Sequence, residues 1–245
     1  MARISLAKTP QQPDNSHPAS PGRAPVSVVD RLDLWFSTGR DVDGLWVGTT
    51  EDEPQPGLRR VEDALQLIKQ HDPLHYSRIV QHLERIWIRL ETTATACYYK
   101  PLNACILDKR FVLLEATTLE HIASSIVHEA THARLERWGV RYEEGKRARI
   151  EAICLRRELN FVAKLPHSEP LREEIAHTLE WCASDHDYFS DANFGQRELQ
   201  GGVDALRQLG APEWIITFVL KARSARSAMY RLRSQLRWRR GKLNP

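Results

Sequence analysis

Residues 117–138 form the clearest helical segment of this chain, and they place two histidines and a glutamate in the interior of a helix. The segment opens on a Thr-x-x-Glu capping box with Thr117 as the cap, and Gly139 follows its last helical residue. Within residues 125–133, every residue other than these three is uncharged. This pattern is typical of a helix buried behind a functional site, because a surface helix would carry more charge.

The spacing of the three residues is suited to binding a metal ion. On an α-helix, residues i and i+4 project from the same face, so His128 and His132 can offer two imidazole nitrogens to one ion. Glu129, one position after His128, can then reach a water molecule on that ion. Zinc lowers the pKa of such a water toward about 7, and a neighbouring carboxylate can take its proton. The spacing therefore predicts a zinc site for hydrolysis, with Glu129 as the general base.

The H-E-x-x-H pattern is also uncommon by chance, since a chain with 10 histidines in 245 residues is expected to contain roughly 0.03 of them. The segment resembles the zincin metallopeptidases of the gluzincin-like branch, whose motif lies on an active-site helix preceded by an antiparallel sheet. The resemblance covers about residues 95–165. It implies that His128 and His132 bind zinc, that Glu129 is the base, and that one strand within 95–115 binds an extended peptide at the sheet edge.

A catalytic zinc site requires a third protein ligand, and two glutamates are candidates. The resemblance implies a glutamate on the next helix, roughly twenty residues on, and Glu151 lies nineteen residues after His132. Its helical neighbours are largely apolar, so a free carboxylate would be costly there unless it were ion-paired or bound to metal. Glu158, two turns further on, has an equally apolar setting and is the second choice, either as the ligand or as an outer partner. For Glu151, an ion pair with a nearby arginine is the alternative.

Hydrophobic periodicity predicts an α+β fold in which helices dominate. Strands are expected within 28–36 and 43–49, and a small antiparallel sheet is expected from TACYYK (95–100), NACILD (103–108) and RFVLLE (110–115). Besides the H-E-x-x-H helix, helices are expected at 58–70, 74–90, 142–165, 170–183, 196–209 and 212–239.

The two ends of the chain differ from its middle in composition. Residues 1–25 are rich in Pro, Ser, Gln and Asn and are expected to be a disordered tail. Residues 26–210 are expected to form the zincin-like domain. Residues 211–245 are expected to form a basic amphipathic helix, since the stretch from Lys221 onward has nine Lys or Arg and no acid. The net charge of the whole chain is +3, so the residues before Lys221 have a net charge of 3 − 9 = −6. We expect this helix to pack on the acidic domain, with contact to an anionic surface as the alternative.

Several classes of protein are disfavoured by composition. The longest apolar run, residues 215–220, is far shorter than the roughly 18 residues of a membrane span. The N-terminus has no continuous apolar core of a signal peptide, and the four cysteines form no C-x-x-C pair, so reduced thiols and a cytoplasmic location are expected. No nucleic-acid-binding motif is present.

The prediction is therefore a zinc metallopeptidase that hydrolyses an amide bond of a peptide or protein substrate. Tyr142 and Tyr188 are candidate donors to the developing oxyanion. The alternative is a non-catalytic helical interaction protein, in which a metal only ties two helices together or is not bound at all. A closed site with a fourth His or Cys ligand would indicate that alternative.

Overall fold

The computed structural model describes residues 25–184, 187–208, 210–218 and 220–221. The helices within these ranges are α1 (Val28–Phe36), α2 (Pro54–His71), α3 (Pro73–His82), α4 (Lys109–Leu113), α5 (Leu119–Arg137), α6 (Arg147–Val162), α7 (Glu169–Ala183) and α8 (Asp191–Gln208), and residues 213–218 are also helical. The strands are β1 (Thr38–Val42), β2 (Leu45–Thr49), β3 (Arg85–Arg89), β4 (Ala96–Tyr99) and β5 (Ala104–Asp108). The α+β class with helix dominant is confirmed.

The sheet is mixed rather than antiparallel. The predicted strands 95–100 and 103–108 do form an antiparallel pair, but the predicted third strand, 110–115, is not a strand, and parallel strands complete the sheet. Its strand order is β1-β2-β3-β5-β4, in which β2, β3 and β5 are parallel and the outer strands β1 and β4 are antiparallel to their neighbours. The hairpin between β1 and β2 turns at Asp43 and Gly44, both with positive φ. The connection from β2 to β3 runs through α2 and α3, because parallel neighbours need a long crossover.

Three short apolar runs were assigned to the wrong element. Residues 28–36 form α1, capped by the Ser27 hydroxyl, and the run 110–115 lies mostly in α4, capped by Asp108. The predicted helix 74–90 ends at His82 as α3, and its second half becomes β3. Apolar runs of this length are compatible both with the 3.6-residue period of a helix and with the two-residue period of a strand. β3 is buried because β2 and β5 pair with it on both sides, and this pairing decides its conformation.

The longer helices agree with the predictions, with shifted ends. α5 begins after Thr118 rather than Thr117, because the Thr118 hydroxyl accepts the backbone N–H of His121. It ends at the predicted place, with Gly139 at φ 79°. α6 begins at Arg147 rather than near Tyr142, and the residues between them form a loop and a 3₁₀ turn.

The hydrophobic core places α5 at the centre of the molecule. Apolar side chains of α2, α3 and α5 pack together on one face of the sheet, and α6 packs against α5 and carries α7 on its other side. Ile122, Ala123, Ile126 and Ala133 of α5 are completely buried. A helix covered on several sides in this way can hold polar side chains in a site with little access for water.

The opposite face of the sheet is covered by α1 through a polar cluster around Asp30. The Asp30 carboxylate accepts hydrogen bonds from Ser27, Tyr99 and Arg89, with the Arg89 Nη1–Oδ1 distance 2.8 Å. Burial would raise the pKa of Asp30, but these hydrogen bonds and the Arg89 charge hold it below its usual value. The cluster joins α1 to β3 and β4.

The two ends of the chain lie largely outside the described residues. Of the predicted tail 1–25 only Pro25 is described, and of the predicted helix 212–239 the description ends at Lys221. In the segment that is described, Ile216 is buried, while Trp214 and Phe218 are exposed. None of the helices in the described ranges has the length and apolar character needed to cross a membrane.

Candidate metal centre

The two histidines of α5 and the first candidate glutamate of α6 meet where these helices pack together. His128 Nε2 and His132 Nε2 are 3.3 Å apart. The Glu151 carboxylate reaches both rings, with Oε2 3.1 Å from His128 Nε2 and Oε1 3.5 Å from His132 Nε2. The structure therefore brings these three residues together at one place.

The spacing of these atoms can be compared with that of a tetrahedral zinc site. With metal–ligand distances of about 2.0–2.2 Å, nitrogen and oxygen ligands at tetrahedral angles are about 3.3–3.5 Å apart. The Nε2–Nε2 distance of 3.3 Å between the histidines lies in that range, and Glu151 places one oxygen 3.1 Å from the His128 nitrogen and the other 3.5 Å from the His132 nitrogen. His128, His132 and Glu151 could therefore hold one zinc ion with little rearrangement.

Glu158 takes a different position from Glu151. Its Oε2 lies 3.0 Å from Nδ1 of His128, which is the ring nitrogen on the side away from His132 and Glu151. Glu158 is buried. A carboxylate on the second nitrogen of a ligand histidine fixes the tautomer and the orientation of the ring. Of the two roles that the sequence left open for Glu158, the outer partner is the one that fits this geometry.

The cluster holds its charges through mutual contacts. Burial alone would lower the pKa of His128, but hydrogen bonds with Glu151 and Glu158 raise it well above its usual value. Burial would raise the pKa of Glu151, yet hydrogen bonds from the two histidines hold it below its usual value. The group thus combines several ionisable side chains at a site from which water is largely excluded, an arrangement that is costly unless charges are compensated.

Glu129 lies on the cavity side of α5, next to this cluster. It is only 6% exposed, and burial raises the pKa of its carboxyl group. It lines the same cavity as His128, His132 and Glu151. A carboxyl whose pKa is raised by burial is a stronger base than an exposed one, which suits a group that takes a proton from water. Its position suits the predicted role of general base.

Cys154 is a potential ligand that sequence reasoning missed. It was expected to be a core thiol, and it is fully buried and free. A ligand atom of Cys154 nevertheless lies within 4.8 Å of ligand nitrogens of both His128 and His132. The helical spacing 151, 154 and 158 was the available signal, since these positions share one face of α6. Glu151 approaches both rings more closely, and burial raises the pKa of the Cys154 thiol, so we favour Glu151 as the third ligand.

Tyr142 adjoins the cluster from the loop between α5 and α6. Its hydroxyl donates a hydrogen bond to Oε1 of Glu151, and its ring packs edge-on against His132 with centroids 5.5 Å apart. Burial and the Glu151 charge raise the pKa of Tyr142, so the phenol stays protonated and keeps its donor. Tyr188, the second tyrosine candidate, lines the same cavity but packs on Trp181 instead.

A cavity of about 480 Å³ opens beside these residues. Its volume lies in the range of about 300–1,000 Å³ that is usual for small-molecule sites. One wall includes Ala96, Cys97 and Tyr98 of β4, which is an edge strand of the sheet. Further parts of the lining come from α7, α8 and the turn between them. The sheet edge expected within 95–115 therefore borders the cavity.

Comparison with known proteins supplies no independent assignment. No protein-family model, no curated protein and no solved structure matches this chain at a significant level.

Proposed function

We propose that this protein is a zinc-dependent hydrolase that cleaves amide bonds in peptides. The observation that carries the proposal is the convergence of His128 Nε2, His132 Nε2 and the two carboxylate oxygens of Glu151 at spacings of 3.1–3.5 Å, beside a cavity lined by Glu129. A histidine pair surrounded by buried carboxylates is also an arrangement that a divalent cation would stabilise.

Each residue of the cluster has a role in this proposal. His128, His132 and Glu151 would hold the zinc, and Glu158 would orient the His128 ring through Nδ1. A bound zinc ion supplies Lewis acidity and lowers the pKa of water toward about 7. Glu129 takes the proton from the attacking water and transfers it to the leaving amine.

Tyr142 would supply a hydrogen bond during the reaction. Its hydroxyl is protonated and lies at Glu151, at the boundary between the cluster and the cavity. Because the phenol has a single O–H, it would turn from Glu151 to the carbonyl oxygen of the substrate in order to stabilise the negative charge that develops there. The resemblance to zincins and the edge strand β4 beside the cavity support a peptide as the substrate, since an extended chain can pair with an open strand edge.

The test compares wild-type protein with Glu129→Gln and His128→Ala. We expect about one zinc per chain in wild type and in Glu129→Gln, and loss of zinc in His128→Ala, measured by elemental analysis after purification without chelators. We expect hydrolysis of a quenched fluorescent peptide library by wild type and its loss in Glu129→Gln. Zinc content that is unchanged in His128→Ala would rule out the metal site, and undiminished hydrolysis in Glu129→Gln would rule out the catalytic role.

A second candidate function is a non-catalytic protein in which a closed metal site ties α5 to α6. The position of Cys154 within 4.8 Å of both histidines favours it, because a fourth protein ligand would occupy the position that water needs. Cys154→Ala distinguishes the two. In the hydrolase, this change leaves zinc bound and hydrolysis intact. In the closed site, it weakens zinc binding, and wild type cleaves no peptide. A metal-free interaction protein would take up no zinc in either form.

A further inference from the structure

Part of the cavity lining consists of aromatic rings alternating with two arginines. His132 contacts Tyr142, and Arg147 lies over Tyr142 and Phe194 at 5.6 and 5.1 Å from their centroids. Arg197 continues the series at 5.8 Å from the Phe194 centroid. It ends with Tyr188 stacked under Arg197 and Trp181 packed on Tyr188. The members of this aromatic wall that line the cavity are Tyr142, Arg147, Trp181, Tyr188, Phe194 and Arg197.

The two arginines of the aromatic wall differ in how their charge is compensated. Arg147 is nearly buried, pairs with Asp191 at 2.5 Å and donates to the backbone oxygen of Phe189. Arg197 donates to the backbone oxygen of Tyr188 and stacks on its ring at 3.7 Å, and among the described side chains, which do not include that of Asp187, no carboxylate lies within ion-pairing distance of it. Arg147 is therefore ion-paired within the aromatic wall, whereas Arg197 has no carboxylate partner among the side chains that the structure describes.

Several of the other charged side chains that line the cavity are engaged away from Arg197. Lys100 and Glu136 form an ion pair with each other, and Glu129 and Glu151 belong to the metal cluster. Glu198 also lines the cavity, but it is the immediate neighbour of Arg197 on α8, and neighbouring side chains on a helix do not face each other. The guanidinium is held by stacking, so little side-chain entropy remains to be lost when it binds an anion.

We propose that the aromatic wall is the recognition surface for the substrate, and that it selects peptides in which a carboxylate, held by Arg197, accompanies a large apolar side chain packed on Phe194 and Tyr188. This inference rests on the proposed function for the site but adds the class of substrate. Both rings are about 40% exposed, with Phe194 at 39% and Tyr188 at 42%, so apolar surface is open to an incoming side chain. A fork of N–H donors beside it suits a carboxylate in two-point contact.

The test measures binding, so that it needs no turnover. Zinc-loaded Glu129→Gln protein is titrated with fluorescent peptides that carry a phenylalanine next to either Glu or Gln, each made with a free and with an amidated C-terminus. We expect the peptide with a carboxylate to bind about tenfold tighter than its neutral counterpart. The free and amidated forms show whether the favoured carboxylate is a side chain or the C-terminus, and either agrees with the proposal. Replacing the phenylalanine with alanine is expected to weaken binding.

The variant that decides the matter is Arg197→Gln in the same background. We expect it to abolish the preference for the carboxylate while the neutral peptide binds as before. Arg207→Gln removes the same charge from α8 at an exposed position paired with Glu213, and it is expected to keep the preference. A preference that survives Arg197→Gln, or equal binding of acidic and neutral peptides, would overturn the inference.

These outcomes separate the inference from the proposed function. If wild type cleaves acidic and neutral peptides equally, the proposed hydrolase activity is supported and the proposed selectivity for a carboxylate is refuted. If no peptide is cleaved but the binding of acidic peptides still depends on Arg197, the proposed selectivity is supported and the proposed hydrolase activity is refuted.

Discussion

Replacing Glu158 tests whether Glu151 is the metal ligand of α6 and Glu158 only orients the His128 ring. The Glu158 carboxylate contacts only the Nδ1 side of His128, at 3.0 Å, whereas Glu151 contacts the Nε2 side of both histidines. Loss of an outer carboxylate that orients a ligand histidine typically lowers metal affinity by about 10- to 100-fold, or about 1.4–2.8 kcal/mol. We expect Glu158→Ala to lie at the upper end of that range. Glu158→Gln is expected near the lower end, because its amide oxygen can still accept the imidazole N–H.

The measurement is the zinc dissociation constant, obtained by competition with a chromophoric chelator. Glu151→Ala removes a ligand atom, so we expect that variant to be purified with far less than one zinc per chain. Glu173→Ala, an exposed change on α7, serves as the control and is expected to bind zinc like wild type. Thermal unfolding of the metal-free proteins checks that each variant is folded. The assignment is refuted if Glu158→Ala loses its zinc completely while Glu151→Ala keeps it.

Three further predictions concern the fold. A Cβ at Gly201 would lie 2.5 Å from a backbone oxygen of the loop after β3, so Gly201→Ala is expected to destabilise the protein by about 1–3 kcal/mol. A Cβ at Gly202 would meet no atom within 4 Å, so Gly202→Ala is expected to stabilise α8 by up to about 1 kcal/mol. Denaturant unfolding compares the two variants, and equal effects would contradict the close approach at Gly201. Phe161→Ala in the core is expected to cost about 3–5 kcal/mol, but Phe36→Ala, which is 71% exposed, less than about 0.5 kcal/mol; a similar loss in both would refute the placement of the core. Asp30→Asn is expected to cost about 1–3 kcal/mol at neutral pH, as followed by urea unfolding across pH. Because the pKa of Asp30 is lower in the folded protein than in the unfolded chain, its contribution to the free energy of unfolding is complete above the unfolded pKa of about 3.9. That contribution is lost as the pH falls through the pKa of the folded protein. A stability difference between wild type and Asp30→Asn that persists in strong acid would therefore contradict the Asp30 cluster.

Prediction from the sequence succeeded where the pattern was long and had a local cause. α5 could be located because capping at Thr118 and a glycine after Trp138 act within a few residues of the helix ends. Its histidine pair follows from the 3.6-residue period alone. Short apolar runs gave no such certainty. Residues 28–36 and 85–89 have similar apolar content, yet the first is a helix and the second a strand.

The candidate site shows the same division. That Glu151 and Glu158 share one face of α6 follows from their seven-residue spacing, but the contact of that face with α5, and the atom of His128 that each glutamate reaches, depend on how the two helices pack. The proximity of Cys154 to the histidines and the hydrogen bond from Tyr142 depend on the same packing. The aromatic wall could not be predicted, since Tyr142, Trp181 and Phe194 belong to separate elements and meet only around the cavity.

By itself, the sequence determined the H-E-x-x-H helix, the glutamates available to it, and the helix-dominated α+β class, because helix periodicity and capping are local properties of the chain. Only the tertiary structure decided that the sheet is mixed, that Glu151 and Glu158 contact opposite nitrogens of His128, and that Arg197 faces the same cavity. These features depend on strand pairing and helix packing between residues distant in the sequence, and such long-range contacts leave no periodic signal in any one segment.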